Sequence, residues 1–338
     1  MTIEIKTLKV EPRRQTFGHV ARRLGADKPA SRYDEATMDV QATANFHYKP
    51  LWDAEFWHYD ERRTAIRMRD WYALRDPRQF YYASYNIARA AQHQGTERNF
   101  DFVEKRGLLA LLDPAWRETV EGYLLPLRHM EWGANLNCVN MCDRGYGTAV
   151  TAPAMFAAGD HLGMAQIVGR IGLALDGNSG ASLDVAKQRW MEAPDWQELR
   201  RLTEDSLVIG DWFEQFVAQN LAIDGMLYPL VYGRFDAAGQ ALGGTAVSML
   251  TGFMTEWHAE HGRWVDAVVK TAAAESAENR ALLGGWLGAW SRRAAAAFAP
   301  LAAGVLGPDA GAAAVAETAA AIRARGARLG LDPLAAAA

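Results

Sequence analysis

Only two cysteines occur in the 338 residues, Cys138 and Cys142. A disulfide framework is therefore excluded, and two thiols alone cannot complete a four-ligand zinc site. They stand four residues apart in a stretch of helical character, which predicts a pair of buried thiols. Also missing is any run of the about eighteen uncharged apolar residues that a membrane span requires. The alanine-rich C-terminal region comes nearest, but Arg292, Arg293, Asp309 and Glu317 interrupt it. The N-terminal MTIEIKTLKVEPRRQ carries charge where a signal peptide needs an apolar core, so a cytoplasmic protein without membrane contact is expected. Excess charge of one sign is lacking too. The formal net charge is −4, and no Lys/Arg cluster interleaves with aromatics, which sets nucleic acid aside as a partner.

What remains is apolar and helical. Half of the residues are hydrophobic, enough to bury a sizeable core, and one helical domain is the simplest organisation. Residues 1–75 have no sustained helical period, with at most a short strand near the N-terminus. They nevertheless carry Phe46, Tyr48, Trp52, Phe56, Trp57, Tyr59, Trp71 and Tyr72. A disordered arm is poor in aromatics, so this largely extended arm is expected to lie on its own bundle and on another chain. The candidate partner interface is Phe46, Tyr48, Trp52, Phe56, Trp57 and Tyr59.

A helical bundle is expected over 76–330. Asp76-Pro77 and Asp113-Pro114 each set a capping carboxylate before a proline at the first helical position, predicting helices over 77–110 and 114–143. A third is expected from about Thr151 to Asp176, ended by Gly177-Asn178-Ser179-Gly180. A fourth begins near Asp195 and runs through Val208, Ile209, Trp212, Phe213, Phe216, Val217 and Leu221, one wide apolar stripe. Pro229 should break or kink the segment after Met226. Further helices are expected from the turn at 236–244 to about Ala277, then over 279–299 and 309–328.

In such a bundle a di-iron carboxylate centre is the first chemistry to seek. A Glu from each of two helices and a Glu-x-x-His pair from each of two others would project inward at one level. The i, i+3 spacing sets carboxylate and imidazole on one helix face. The chain has one Glu-x-x-His, Glu55 to His58, in the arm after Pro50, and chance accounts for it. His129 has Pro126 at that spacing, His258 has Thr255 and His261 has His258. Surface or interface roles are expected for these histidines. His258 and His261 with Glu256 or Glu260 also lack the His-Glu-x-x-His order of a zinc hydrolase. Gly145-Tyr146-Gly147 has Val150 where a dinucleotide fingerprint needs glycine, and Ala181 spoils Gly177 to Gly180 as a nucleophile elbow. The polar series Glu131, Asn135, Asn137 and Asn140 is expected to satisfy neighbouring groups or a partner rather than line a cavity.

Several long segments together resemble a known family. ANFHYKPLWD, DPRQFYYASY, PLRHMEWGAN, GTAVTAPAMF, FVAQNLAIDGMLYPLVYGRFD and FMTEWHAEHGRWVDAVVKTAAAESAENRALL resemble the oxygenase β subunit of bacterial multicomponent phenol hydroxylases. These are relatives of the toluene, alkene and soluble methane monooxygenases. The likeness spans essentially the whole chain and is weakest beyond residue 294.

The resemblance implies an all-α, ferritin-like helical bundle with a long N-terminal arm. It implies a non-catalytic, structural role in a dimer of αβγ protomers whose α subunit holds the di-iron centre. Partners would be the α and γ subunits, a reductase carrying FAD and an iron–sulfur cluster and consuming NADH, and a small regulatory protein. This chain would carry no catalytic, metal or cofactor-binding residue. Phenol, methylphenols, toluene and benzene are all compatible substrates of the complex. The resemblance also suggests that Pro126-x-x-His129 is a decayed first ligand pair and that Thr255 to His261 is a decayed second. Trp257, Trp264 and Trp290 are a second candidate contact surface, though tryptophans at helical spacing usually belong to a core. A stand-alone metal oxidase or a stand-alone binding protein are the alternatives. The first predicts iron in the isolated chain, the second a well-behaved protein without partners.

Overall fold

A computed structural model describes residues 16–26, 28–41, 49–51 and 53–331. The described residues form helices and connecting turns with no strand among them; the short strand considered for the N-terminus lies outside them.

The arm contains two short helices, α1 (Gly18–Leu24) and α2 (Arg32–Thr37), the latter opened by a capping box between Ser31 and Asp34. Its later part is pinned to the bundle. Ile66, Met68, Trp71 and Leu74 are buried. The Ala65 N–H donates to Asp211, Arg67 and Asn279 exchange backbone and side-chain hydrogen bonds, and Arg69 pairs with Glu275. Asp211, Asn279 and Glu275 all sit at helix ends, so residues 65–69 cross one end of the bundle.

The bundle begins later than its sequence suggests, with α3 at Tyr82–Arg106. Asp76 does not cap a helix; its carboxylate is held by the Arg78 guanidinium at 2.9 Å, and Gln79 turns the chain with φ of 55°. At the second Asp-Pro the expectation holds. Asp113 accepts from the Ala115 and Trp116 N–H groups and opens α4 (Pro114–Tyr123). The expected continuous helix to 143 is split before Pro126, which has no N–H to give an intrahelical bond, and α5 runs over Leu127–Arg144. Next come α6 (Thr148–Leu175), the Gly177–Gly180 loop with positive φ at both glycines and Asn178, and α7 (Ala181–Glu192). No sequence signal had predicted α7. The helix expected from 195 is also two: α8 (Pro194–Leu207) ends before an exposed Val208, and Asp211 caps a new start.

That new helix, α9, is unbroken over 212–239 despite Pro229. It carries two π-helical segments, Ala218–Ile223 and Leu230–Phe235, the second beginning directly after the proline. The wider turn takes up the missing N–H where an α-helix would kink. Trp212, Phe213, Phe216, Val217, Leu221, Met226, Leu227 and Leu230 are all at most 2% exposed, which makes α9 the core of the domain. Each fully buried side chain of this size stabilises by about 1.5–3 kcal/mol before entropy is counted. Around it lie α10 (Thr245–Glu275), α11 (Ala277–Leu306) and α12 (Pro308–Arg328). Trp257, Trp264 and Trp290 are buried in this core and form no contact surface for another chain. No helix of the described residues is long and apolar enough to cross a membrane.

Candidate functional site

At the centre of α5, α6, α9 and α10 lies polar material in an otherwise apolar interior. Glu131 on α5, His161 on α6 and Asp224 on α9 are each at most 1% exposed. His161 Nδ1 lies 2.7 Å from Glu131 Oε2, and its Nε2 lies 3.9 Å from Asp224 Oδ2. The Tyr228 hydroxyl donates to Glu131 at 3.1 Å, and Gln219 donates to the other oxygen of Asp224 at 2.8 Å.

A hydrogen-bonded relay continues outward from Gln219. Asn137 donates to Gln219 and to Ser206, Gln215 donates to Asn137, and Asn140 donates to Gln215, at 2.7–2.8 Å. Asn135 donates to the Ala158 carbonyl. The polar series on α5 therefore satisfies buried partners within the chain.

The histidines of α10 border the same centre. His261 bonds Asn220 at 2.7 Å, and the Trp257 indole stacks on His261 at 4.4 Å while meeting His161 edge-on at 4.8 Å. His258 stacks on Tyr228 at 4.8 Å. Trp257 in turn donates to Asp160, whose charge is neutralised by a two-pronged contact from Arg89. Burial pushes His258 down to about 4 and, with the nearby Arg78, His161 and Arg325 charges, holds His261 well below the ordinary histidine value. These are interior residues, not the surface or interface histidines expected.

His129 is elsewhere. It is half-buried against Trp190, with its pKa lowered to about 4 by burial. Pro126-x-x-His129 is thus not the remnant of a ligand pair; the histidine that reaches the centre from the neighbouring helix is His161. The second suggested remnant does reach it, as His258-x-x-His261. The i, i+3 rule passes over His161 because Ala158 stands three residues before it. The readable signal was a different one: an Asp-His pair inside the apolar run of α6, and Gln219, Asn220 and Asp224 inside the most apolar stretch of the chain.

The four helices can be compared position by position with a di-iron set. Glu131 and Asp224 stand as the single carboxylates on α5 and α9. Ala158-x-x-His161 and His258-x-x-His261 stand where the two Glu-x-x-His pairs would be. Both pair carboxylates are gone, Glu131 is tied up by His161 and Tyr228, and an indole lies against both imidazoles. Among the described residues no three of His, Cys, Asp and Glu are arranged to hold a metal ion. These residues do not fit a di-iron centre.

Of the candidate interface, Phe46, Tyr48 and Trp52 lie outside the described residues. Phe56 is half-buried under Arg62 and Arg63, Trp57 is 39% exposed with Lys49 over its ring, and Tyr59 is half-buried beside His58. Glu55 is exposed and His58 lies 3.6 Å from Asp143, so that Glu-x-x-His is no ligand pair. Cys138 is buried and Cys142 partly so, both as free thiols.

Residues 52–276 match the family model described as methane/phenol/alkene hydroxylase. The chain belongs to this family. Its relatives include the phenol 2-monooxygenase oxygenase component DmpL of Pseudomonas sp. (strain CF600), 50% identical over 89% of this chain and 91% of that protein. Component MhpL of Acinetobacter pittii (strain PHEA-2) is 48% identical over 99% of both. More distant is the hydroxylase component subunit beta of the toluene-4-monooxygenase system of Ectopseudomonas mendocina, 24% identical over 84% of this chain and 89% of that one. A chain in the crystal structure of phenol hydroxylase from Pseudomonas sp. OX1 superposes with a TM-score of 0.91 at 45% identity, covering 97% of this chain and 99% of that one. The bundle is thus the ferritin-like helical fold of these di-iron hydroxylases, and the chain is an oxygenase-component member of that family.

Proposed function

We propose that this chain is the non-catalytic β subunit of a cytoplasmic multicomponent phenol hydroxylase. It supports a di-iron α subunit, with a γ subunit completing the protomer. An NADH-consuming reductase with FAD and an iron–sulfur cluster, and a small regulatory protein, complete the system, which hydroxylates aromatic rings with dioxygen. The observation that carries this reading is the pair Ala158 and His258 at the two positions where the ligand pairs need glutamate. The more distant toluene-4-monooxygenase relative, itself a subunit beta, agrees with it.

The surface supports a partner as well. On α5, Trp132, Leu136 and Val139 are 51%, 39% and 41% exposed and recur at i, i+4 and i+7, while Met155 on α6 is also exposed. The contact between His58 and Asp143 joins the arm to the end of this stripe, so Trp57 and the α5 stripe form neighbouring apolar patches of a kind that marks subunit contacts. In this reading residues 1–75 are an arm serving both bundle and partner, and 76–330 the bundle.

Expressing the chain alone and with its companion subunits, and measuring iron, complex mass and phenol hydroxylation, tests the proposal. The expected result is no stoichiometric iron and no activity in the lone chain, with both present in the complex. Stoichiometric iron and turnover by the lone chain would overturn it. Removing residues 1–60 is expected to abolish co-purification with α.

A further inference from the structure

We propose that a proton takes the place of a metal at the centre of this bundle: His161 is an imidazolium clamped between the carboxylates of Glu131 and Asp224. The geometry carries the inference. The 2.7 Å contact to Glu131 has the length of a charge-assisted hydrogen bond, and against a carboxylate the proton of that bond sits on Nδ1. Nε2 and Asp224 Oδ2 then face each other at 3.9 Å, and neither has a hydrogen-bond partner. With Nε2 bare, two buried acceptors would oppose each other, each unsatisfied. A proton on Nε2 turns that repulsion into an ion pair. The remaining demands of both carboxylates are met by Tyr228 and Gln219.

Every element packed around the imidazole agrees. From α5 come Glu131 and the Cys138 thiol, which burial keeps protonated. On α6, Asp160 is already held by Arg89. From α9 come Asp224 and the neutral Tyr228, and from α10 the neutral His258 and His261. Arg325 acts on Asp224 from α12 and Arg78 on His261 from the turn before α3, but neither contacts His161. Burial by itself would lower the His161 pKa; the Glu131 hydrogen bond and the charges of Asp224 and Glu131 instead raise it well above the ordinary value. The Asp224 carboxyl is pushed up to about 7 by burial against the opposing pull of His161. Three helices, α5, α6 and α9, are thereby cross-linked by charge at the level where a ligand set would have joined them.

The inference does not depend on the chain's role in a complex, and its test is separate. The full chain labelled with 15N-histidine, with the His161 signals assigned by their loss in His161→Gln, is expected to show both ring nitrogens protonated at pH 8. A bare Nε2 at that pH would overturn the proposal, as would a shift of these signals with stoichiometric uptake of added Fe(II) or Zn(II). Thermal unfolding of the full chain gives a second readout. A group with a raised folded pKa contributes stability that is lost as pH rises through that pKa. Wild type is therefore expected to lose Tm as pH rises above the ordinary histidine range. His161→Gln should start roughly 5–10 °C lower at pH 7 and follow a flatter curve. Parallel curves would overturn the clamp.

Discussion

The two faces of α5 follow opposite rules. The inward face carries Glu131, Asn137 and Cys138, none more than 1% exposed, whereas the outward face carries Trp132, Leu136 and Val139, each more than a third exposed. An amphipathic helix of a monomeric protein buries its apolar side, as α5 does at Leu127, Met130, Ala134 and Met141, and these six positions depart from that rule. The inward polarity is tolerable because Glu131 and Asn137 are hydrogen-bonded within the chain, and the outward apolarity is what the proposed second chain would cover. Three consecutive residues, Glu131, Trp132 and Gly133, allow the two faces to be broken one at a time.

The largest effect is expected at Glu131. Truncation to alanine leaves the buried His161 cation with only the more distant Asp224 carboxylate and Tyr228 with only the Met164 sulfur to donate to, a loss of about 3–5 kcal/mol. Urea unfolding of the full chain measures it, and a loss below about 1 kcal/mol would show that no charge is held there. One residue along, Trp132→Ala is expected to leave the chain's own unfolding free energy nearly unchanged. It should weaken binding to the partner subunit by about 2 kcal/mol, roughly 30-fold in Kd. Calorimetric titration with that subunit checks this. A Trp132 variant that unfolds the chain yet still assembles would invert the comparison. Gly133 lies between the faces, and a Cβ there would run into the Thr203 methyl of α8. Gly133→Ala is therefore expected to cost about 1–3 kcal/mol of stability through overpacking, with association lowered only in proportion.

The inside-out character of α5 was half legible in the sequence. Glu131, Asn135 and Asn137 were visible as a polar series at helical spacing, and their role as internal partners followed from the rule that buried polar groups are bonded. Trp132, Leu136 and Val139 read equally well as a core stripe, because periodicity locates a face but does not say which way it points. The all-α class and the helices from Thr245 onward followed from period and caps. Helix α7 was lost because its apolar positions, Leu183, Val185, Ala186 and Trp190, are separated by charge, and α9 runs through Pro229 because π-helical turns rescue it. The centre was hidden for a different reason. Spacing rules look for a histidine with its carboxylate on one helix, whereas His161 draws its carboxylates from two others, a relation that only packing creates.

The smallest effect separates the two sides of the centre itself. His161 is held protonated and its contribution fails as pH rises; His258 is held neutral at about 4, so its contribution fails as pH falls. The sign follows from linkage: below its unfolded value near 6.5, the unfolded chain binds a proton at His258 that the folded chain refuses until about 4, so stability drops across that window. At pH 5 the loss attributable to this side chain is about 1 kcal/mol once its partial solvent access is allowed for. His258→Gln, which keeps a polar group against Tyr228, is expected to flatten the acid limb between pH 6.5 and 4, by that amount at pH 5. The alkaline limb should stay untouched, in contrast to His161→Gln, which acts on the alkaline limb. Unfolding free energies of both variants across pH 4–9.5 check the pair. If His258→Gln altered the alkaline limb instead, the two imidazoles would be titrating as one unit, and the division of the centre into a charged side on α6 and a neutral side on α10 would fall.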